Sequence, residues 1–372
     1  MDFVKTAPLS PRLHEPLRAA LREKPPGAMT VFPDDLSRDE LQALVEHGVA
    51  PLVYAAVQTP FLRTEAIRAA ALEPLRAEDL RRVLEALAAR GVEAVLMKGT
   101  PLAYQIYPAP ELRPRGDTDL LIAVDAIRPA REAMSALGFT ERTTSGDEHG
   151  LRQTTFTRAG GFGVEHAYDV HWAVTNSPVF ASVLPFAEVR ANAVAVPALG
   201  PHARALAPVD ALLLACVHRV AHHHDSDRLI WLVDVALLRG RMTPDEHRRF
   251  WELAAEGRVV AICARAVELA DEWMSRPAHD RAGDWLSREQ IDRYEPSRVF
   301  LDRDITEGGV MLANLRALSW PDRLRRMRQL AFPPRSFMLE TFQPRSRAAL
   351  PWLYLYRAGR GIARLFRGVG AR

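Results

Sequence analysis

The chain has 372 residues, 48% hydrophobic and 26% charged, a globular composition with room for two or three packed units. Its longest apolar run, Ala211 to Val217, falls far short of the roughly 20 residues a membrane span needs, and Met1 to Pro11 lack a secretory signal's basic start and apolar block, so a cytoplasmic protein is expected. The net charge of +3 conceals an asymmetry: twelve arginines and two acids from Pro321 to Arg372 sum to +10, leaving −7 for the first 320 residues.

The first ninety residues read as helical. Ser37-Arg38-Asp39-Glu40 has the pattern of a capping box, opening a short amphipathic helix that turns Leu41, Leu44 and Val45 inward. Pro25, Pro26 and Gly27 mark a loop between early segments. Leu80, Val83, Leu84 and Leu87 share one face of a helix over 77–90, which Gly91 stops.

The texture then changes. Val92 to Met97 reads as a buried strand, followed by Lys98-Gly99 and a short helix through Tyr107. A loop with Pro108, Pro110 and Pro114 leads to Gly116, and Asp117 to Ala123 reads as a second strand. A helix over 126–137 ends at Gly138. Thr154 to Thr157 and Val164 to Trp172 are two more strands, joined by the turn Ala159-Gly160-Gly161. After Pro208 the pattern is helical, over 209–223, 228–238, 244–256, 259–273, a stretch around 311–330, and 350–366, with a polar connection over 275–305. Cys216 and Cys263 sit in apolar helical patterns and read as buried thiols. Three regions are expected: 1–90, 91–205 and 206–372.

Asp117-Thr118-Asp119 opens the second strand, directly after Gly116. Residues i and i+2 of a strand point to one side, so both carboxylates should face the same way. Two convergent carboxylates suit a hard cation such as Mg²⁺, which takes oxygen ligands and keeps waters and substrate phosphates. A later strand adds Asp169, with His171 on its face. Alone, Asp-x-Asp is more often a solvated strand end.

Its surroundings change that weighting. Val95-Leu96-Met97-Lys98-Gly99, then Tyr107-Pro108, then the run from Arg113 to Leu121, then Asp169-Val170-His171-Trp172 together resemble the uncharacterised nucleotidyltransferase family of the DNA-polymerase-β superfamily. The resemblance covers about residues 40 to 240, more weakly through His218, His222, Leu229, Trp231 and Asp234. It implies an α+β fold: a polymerase-β-like core with a small mixed sheet, flanked by N- and C-terminal helical regions. It also implies Mg²⁺-dependent transfer of a nucleoside monophosphate from a nucleoside triphosphate, ATP or another, to an unidentified hydroxyl or phosphate on a small molecule, RNA or protein.

In that family's terms Asp117, Asp119 and Asp169 are the catalytic and metal-binding acids. Asp117 and Asp119 would bridge two metals about 3.5–4 Å apart, and Asp169 would complete the acceptor-side metal and draw off the hydroxyl proton. Most superfamily members carry Gly-Ser after the first strand, whereas this chain has Lys98-Gly99-Thr100. Gly99 would let backbone approach the triphosphate, beside Thr100 and a helix N-terminus. Arg113, ahead of Gly116, is favoured over Arg115 as the phosphate contact. Lys98 is one of three lysines among 49 basic residues, and a compact ammonium at a strand end suits phosphate.

Two rival readings stand beside this one. His218 and His222 are four apart in the cluster His218, His222, His223 and His224, a spacing that serves zinc hydrolases. No glutamate follows His218, however, and only Asp225 offers a further ligand, so polar packing against Asp234 or the sheet is the simpler reading. A non-catalytic nucleotide-binding or adaptor protein would keep the fold, but intact Asp117, Asp119 and Asp169 argue against decay. Trp172 and Trp231 read as core residues before stacking platforms. Finally, Arg357, Arg360, Arg364 and Arg367 recur at helical spacing, with Leu355, Ile362 and Phe366 on other sides. That stripe is either a solvated face or a seat for an anionic partner.

Overall fold

The computed structural model describes residues 7–22, 31–142 and 152–365, less 182, 224, 275–280, 288, 292–293, 303, 334 and 344–345. Among these, seven strands form one mixed sheet: β1 (Val95–Met97), β2 (Thr118–Leu121), β3 (Thr140–Arg142), β4 (Gln153–Ala159), β5 (Glu165–His171), β6 (Val194–Ala195) and β7 (Arg204–Ala205). Their order is β3-β4-β5-β2-β1-β7-β6, with β2–β5 and β1–β7 parallel and the other neighbours antiparallel. An α+β architecture with a mixed sheet is what the molecule shows. The expected strands lie near the predicted residues; the edge strands β3 and β6 and the short β7 beside β6 carry no apolar alternation to announce them.

Alternation along the central strands divides the core. Leu96, Leu120 and Ile122 face one side, where the helices Arg63–Ala88 and Ile127–Ala136 cover them through Leu80, Leu84, Leu87 and Met134. Val95, Met97 and Leu121 face the other, joining Leu13 and Leu17 from the N-terminal helices and Leu213, Val217, Leu232 and Trp251 from the C-terminal ones. Burial on both faces is why these strands read as unbroken apolar runs.

The helix expected over 77–90 is far longer, Arg63–Ala88, with Pro74 inside it. Proline removes an intrahelical hydrogen bond and is normally read as a stop, so the first half was hidden. Gly91, at φ 71°, ends it as expected. The capping box at Ser37 is formed, with its hydroxyl accepting from the Glu40 amide and the Glu40 carboxylate accepting from the Ser37 amide. The stretch around 311–330 is two helices, Glu307–Ala317 and Trp320–Ala331, broken where Ser319 caps the second. Cys216 and Cys263 are free and buried.

Candidate active site

Sheet register assembles the site. Met97 of β1, Asp119 of β2, Asp169 of β5 and Thr155 of β4 stand side by side across four strands. Neighbours in one row project from one face, here the face that the N- and C-terminal helices cover. Asp119 and Asp169 are therefore adjacent although they stand fifty positions apart in the sequence. His171 follows Asp169 on the same face, and its Nε2 lies 2.9 Å from Asp119 Oδ1. One ligand atom from each of Asp119, Asp169 and His171 can lie within 4.8 Å of the others, a group able to hold a metal ion.

Each carboxylate is held by its neighbours. Thr155 Oγ1 donates to Asp169 Oδ1 at 2.5 Å, and Gln153 Nε2 to Asp169 Oδ2 at 3.4 Å. Asp119 Oδ1 receives the Lys98 ammonium at 2.5 Å. Burial opposes ionisation of Asp119, but Lys98 and His171 outweigh it and hold the carboxyl well below the usual range. Burial likewise opposes the Lys98 charge, and Asp119, Asp117 and Asp169 together carry its pKa above the ordinary value.

Asp117 stands apart from the expected pair. It precedes the first residue of β2, is exposed, and is absent from the three-ligand group. The i, i+2 rule requires both residues to be in the strand, which begins only at Thr118. Asp117 nonetheless feels the pair: lost hydration, then Asp119 and Asp169, push its carboxyl up to about 6 against the pull of Lys98.

Lys98 sits at the junction of β1 and the helix Gly99–Gln105, with φ 58° and ψ −136°. This positive φ is uncommon outside glycine. Gly99 is packed against Arg113: a Cβ there would lie 2.9 Å from Arg113 Nη1. Thr100 is buried, its hydroxyl 3.2 Å from that of Thr118.

Arg113 and Arg115 clamp the loop that delivers Asp117. Arg113 grips Asp234 through Nε at 2.9 Å and Nη2 at 2.7 Å, and Tyr107 donates its hydroxyl to the same carboxylate at 2.6 Å. Burial works against the guanidinium, yet Asp234 holds its pKa above the ordinary value. Arg115 is paired with Glu73 of the long N-terminal helix at 2.5 and 2.8 Å. Gly116, between them and Asp117, is exposed, with open space where a Cβ would stand.

Lys98, Leu102, Leu214, His218, Trp231 and Asp234 line a small, largely apolar pocket that is partly open to solvent. His218 and His222 pack edge to face with centroids 5.1 Å apart, and His223 lies 4.3 Å from Trp231. Burial, then Lys98, depresses the His218 pKa far below its ordinary value and that of His222 to about 3, so both are neutral. His224 lies outside the described residues. His218 and His222, the spacing weighed as a zinc rival, pack as neighbouring rings, and among the described residues the group able to hold a metal ion is Asp119, Asp169 and His171 on the sheet.

Sequence reasoning placed His171 beside Asp169 without giving it a role, and missed Glu73 and Arg228. Arg228 is partly buried, its guanidinium lies 5.2 Å from the Trp231 ring, and its Nε has no hydrogen-bond partner among the described residues. Burial and Arg113 lower its pKa, while Asp117 and Asp234 act the other way. No local pattern marks these positions, because each depends on which helices the fold brings to the loop.

Residues 38–275 match the model of a family described as an uncharacterised nucleotidyltransferase. No curated protein matches the sequence.

Proposed function

We propose, for a chain that belongs to the uncharacterised nucleotidyltransferase family, that Asp119 and Asp169 hold Mg²⁺ and that this nucleotidyltransferase moves a nucleoside monophosphate from a nucleoside triphosphate to a hydroxyl or phosphate acceptor. The observation that carries this reading is the in-register placement of Asp119 beside Asp169 across parallel strands, with His171 completing the group. Carboxylate oxygens suit a hard divalent cation. When bound, that cation offsets charge developing on the phosphoryl oxygens and lowers the pKa of an attacking oxygen.

The chain's own groups do the rest. Asp169 receives the acceptor's proton, its carboxylate aimed by Thr155. Asp117, at the rim, is the carboxylate left for a second ion or for incoming substrate. Lys98 is a built-in counter-charge that keeps Asp119 ionised, and its ammonium would also suit a triphosphate oxygen. Arg113 orients the Gly116-Asp117 turn through Asp234, and Arg228 takes the phosphate contact that sequence reasoning gave to Arg113. Gly99 and Thr100 shape the turn under the substrate.

The test is incubation with each labelled triphosphate and a cell extract, followed by fractionation of the labelled product. Label should appear with wild type and vanish with Asp169→Asn. No labelled product from any triphosphate, with metal and extract present, would overturn the reading.

A further inference from the structure

Two helices beyond the family-matched residues leave apolar stripes in solvent. On Trp320–Ala331, Trp320, Leu324 and Met327 are 65%, 49% and 51% exposed at i, i+4 and i+7, and Phe332 follows at 72%. On Leu350–Leu365, Trp352, Leu355 and Tyr356 are 74%, 65% and 56% exposed at i, i+3 and i+4. These spacings place each set on one side of its helix. Water is a poor neighbour for so much apolar surface, and contiguous exposed apolar faces mark interaction sites.

The stripes belong to one unit. Tyr354 donates its hydroxyl to the Pro333 carbonyl at 2.7 Å, and Arg357 Nη1 donates to the Leu330 carbonyl at 2.6 Å, tying the second helix to the end of the first. Arg357 thus helps hold the two helices together; of the expected arginine stripe, the Arg364 side chain and Arg367 lie outside the described residues. Exposed arginines share these helices or the one between them: Arg325, paired with Asp322 at 2.7 Å, Arg328, Arg335, and Arg360, 5.8 Å from the Tyr356 ring.

The occupant must supply an apolar interior behind a dense negative surface. The segment from Pro321 to Arg372 carries twelve arginines against two acids. A second copy meeting this face would set exposed arginines such as Arg328 and Arg360 against their own copies. A nucleic acid would satisfy the arginines and could stack on the tryptophans, but it offers nothing to Leu324, Met327 and Leu355. A bilayer surface with anionic headgroups meets both demands. Amphipathic basic helices with tryptophan and leucine on the apolar side lie in that interface, and no helix of the described residues is long and apolar enough to cross a membrane. We propose that this pair of helices docks the enzyme on an anionic lipid surface, its aromatic and aliphatic side chains entering the acyl boundary while the arginines meet phosphate.

The experiment is co-sedimentation of the full chain with vesicles of phosphatidylcholine and phosphatidylglycerol in equal parts, and with phosphatidylcholine alone. Wild type should pellet with the mixed vesicles in low salt, be released by high salt, and stay soluble with the neutral ones. W320S/W352S/L355S changes exposed positions, so its thermal melt should match wild type while vesicle affinity falls at least about tenfold. Arg325→Gln, Arg328→Gln, Arg335→Gln and Arg360→Gln should each weaken binding about fivefold. Failure to pellet with mixed vesicles, or equal pelleting with neutral ones, overturns the proposal. So does a dimer that W320S/W352S/L355S dissolves, or labelled RNA that displaces the protein from mixed vesicles.

Discussion

The Lys98 ammonium lies 2.5 Å from Asp119 Oδ1, and the backbone beneath it stands at φ 58° and ψ −136°. A non-glycine residue in such a region costs on the order of 1–3 kcal/mol and persists where the surrounding structure demands it. Here the strained turn delivers a cation to the oxygen that a metal would also seek.

Lys98→Met should therefore have two opposite effects. Without nucleotide, Mn²⁺ should bind more tightly, because a competing charge has left Asp119; an affinity increase of about tenfold corresponds to 1.4 kcal/mol. Triphosphate affinity should fall, because a phosphate-facing ammonium is gone. Calorimetric titration of each ligand reads both. Unchanged Mn²⁺ and triphosphate affinities with a large drop in melting temperature would make Lys98 a structural ion pair and nothing more.

Asp169→Asn and Asp119→Asn should both abolish transfer, by at least about 10²–10³ in rate if each carboxylate faces developing charge. Their stabilities should differ. Asp169 is held by two neutral donors, so its change should leave the melting temperature nearly intact. Asp119 compensates a largely buried lysine, and removing one member of such a pair costs about 3–5 kcal/mol. Full transfer by either purified variant is the result that sinks the assignment of the acids.

Much of this site was legible in sequence because strands carry their geometry locally. The apolar run before Lys98, the acid-x-acid at β2 and the acid-x-His of β5 each declare a strand end. Alternation then puts Asp119, Asp169 and His171 on one face. Three things were not legible: that β2 starts at Thr118, leaving Asp117 at the rim; that Pro74 sits inside a helix; and that Arg113 is taken by Asp234. The last depends on a partner 121 residues away, a distance at which no local periodicity carries information.

That pair supports a test of the loop itself. Asp234→Ala strands the buried Arg113 guanidinium and the Tyr107 hydroxyl, and should cost about 3–5 kcal/mol. Gly99→Ala should also destabilise the protein, because its Cβ would meet Arg113 Nη1 at 2.9 Å and Asp234 keeps that side chain from yielding. Denaturant melts of the single variants and of Gly99→Ala combined with Arg113→Ala read this directly. If Gly99 matters through Arg113, the double variant should lose less than the sum of the singles. Strict additivity would return Gly99 to a role facing the substrate alone.

Arg228 offers the sharpest separation of substrate contact from packing. Its Nε is buried without a hydrogen-bond partner among the described residues, and burial together with Arg113 disfavours its charge. A cation kept under those conditions gains little for the folded state by itself. Hydrogen bonds to charged groups contribute roughly 1.5–3 kcal/mol, so Arg228→Gln should raise KM for the triphosphate by about 10- to 100-fold. The melting temperature should hold or rise, since a desolvated charge has been removed. If the contact is equally strong in ground and transition states, kcat should stay near wild type. A lowered melting temperature with unchanged KM would assign Arg228 to the stack against Trp231, and the phosphate would need another cation.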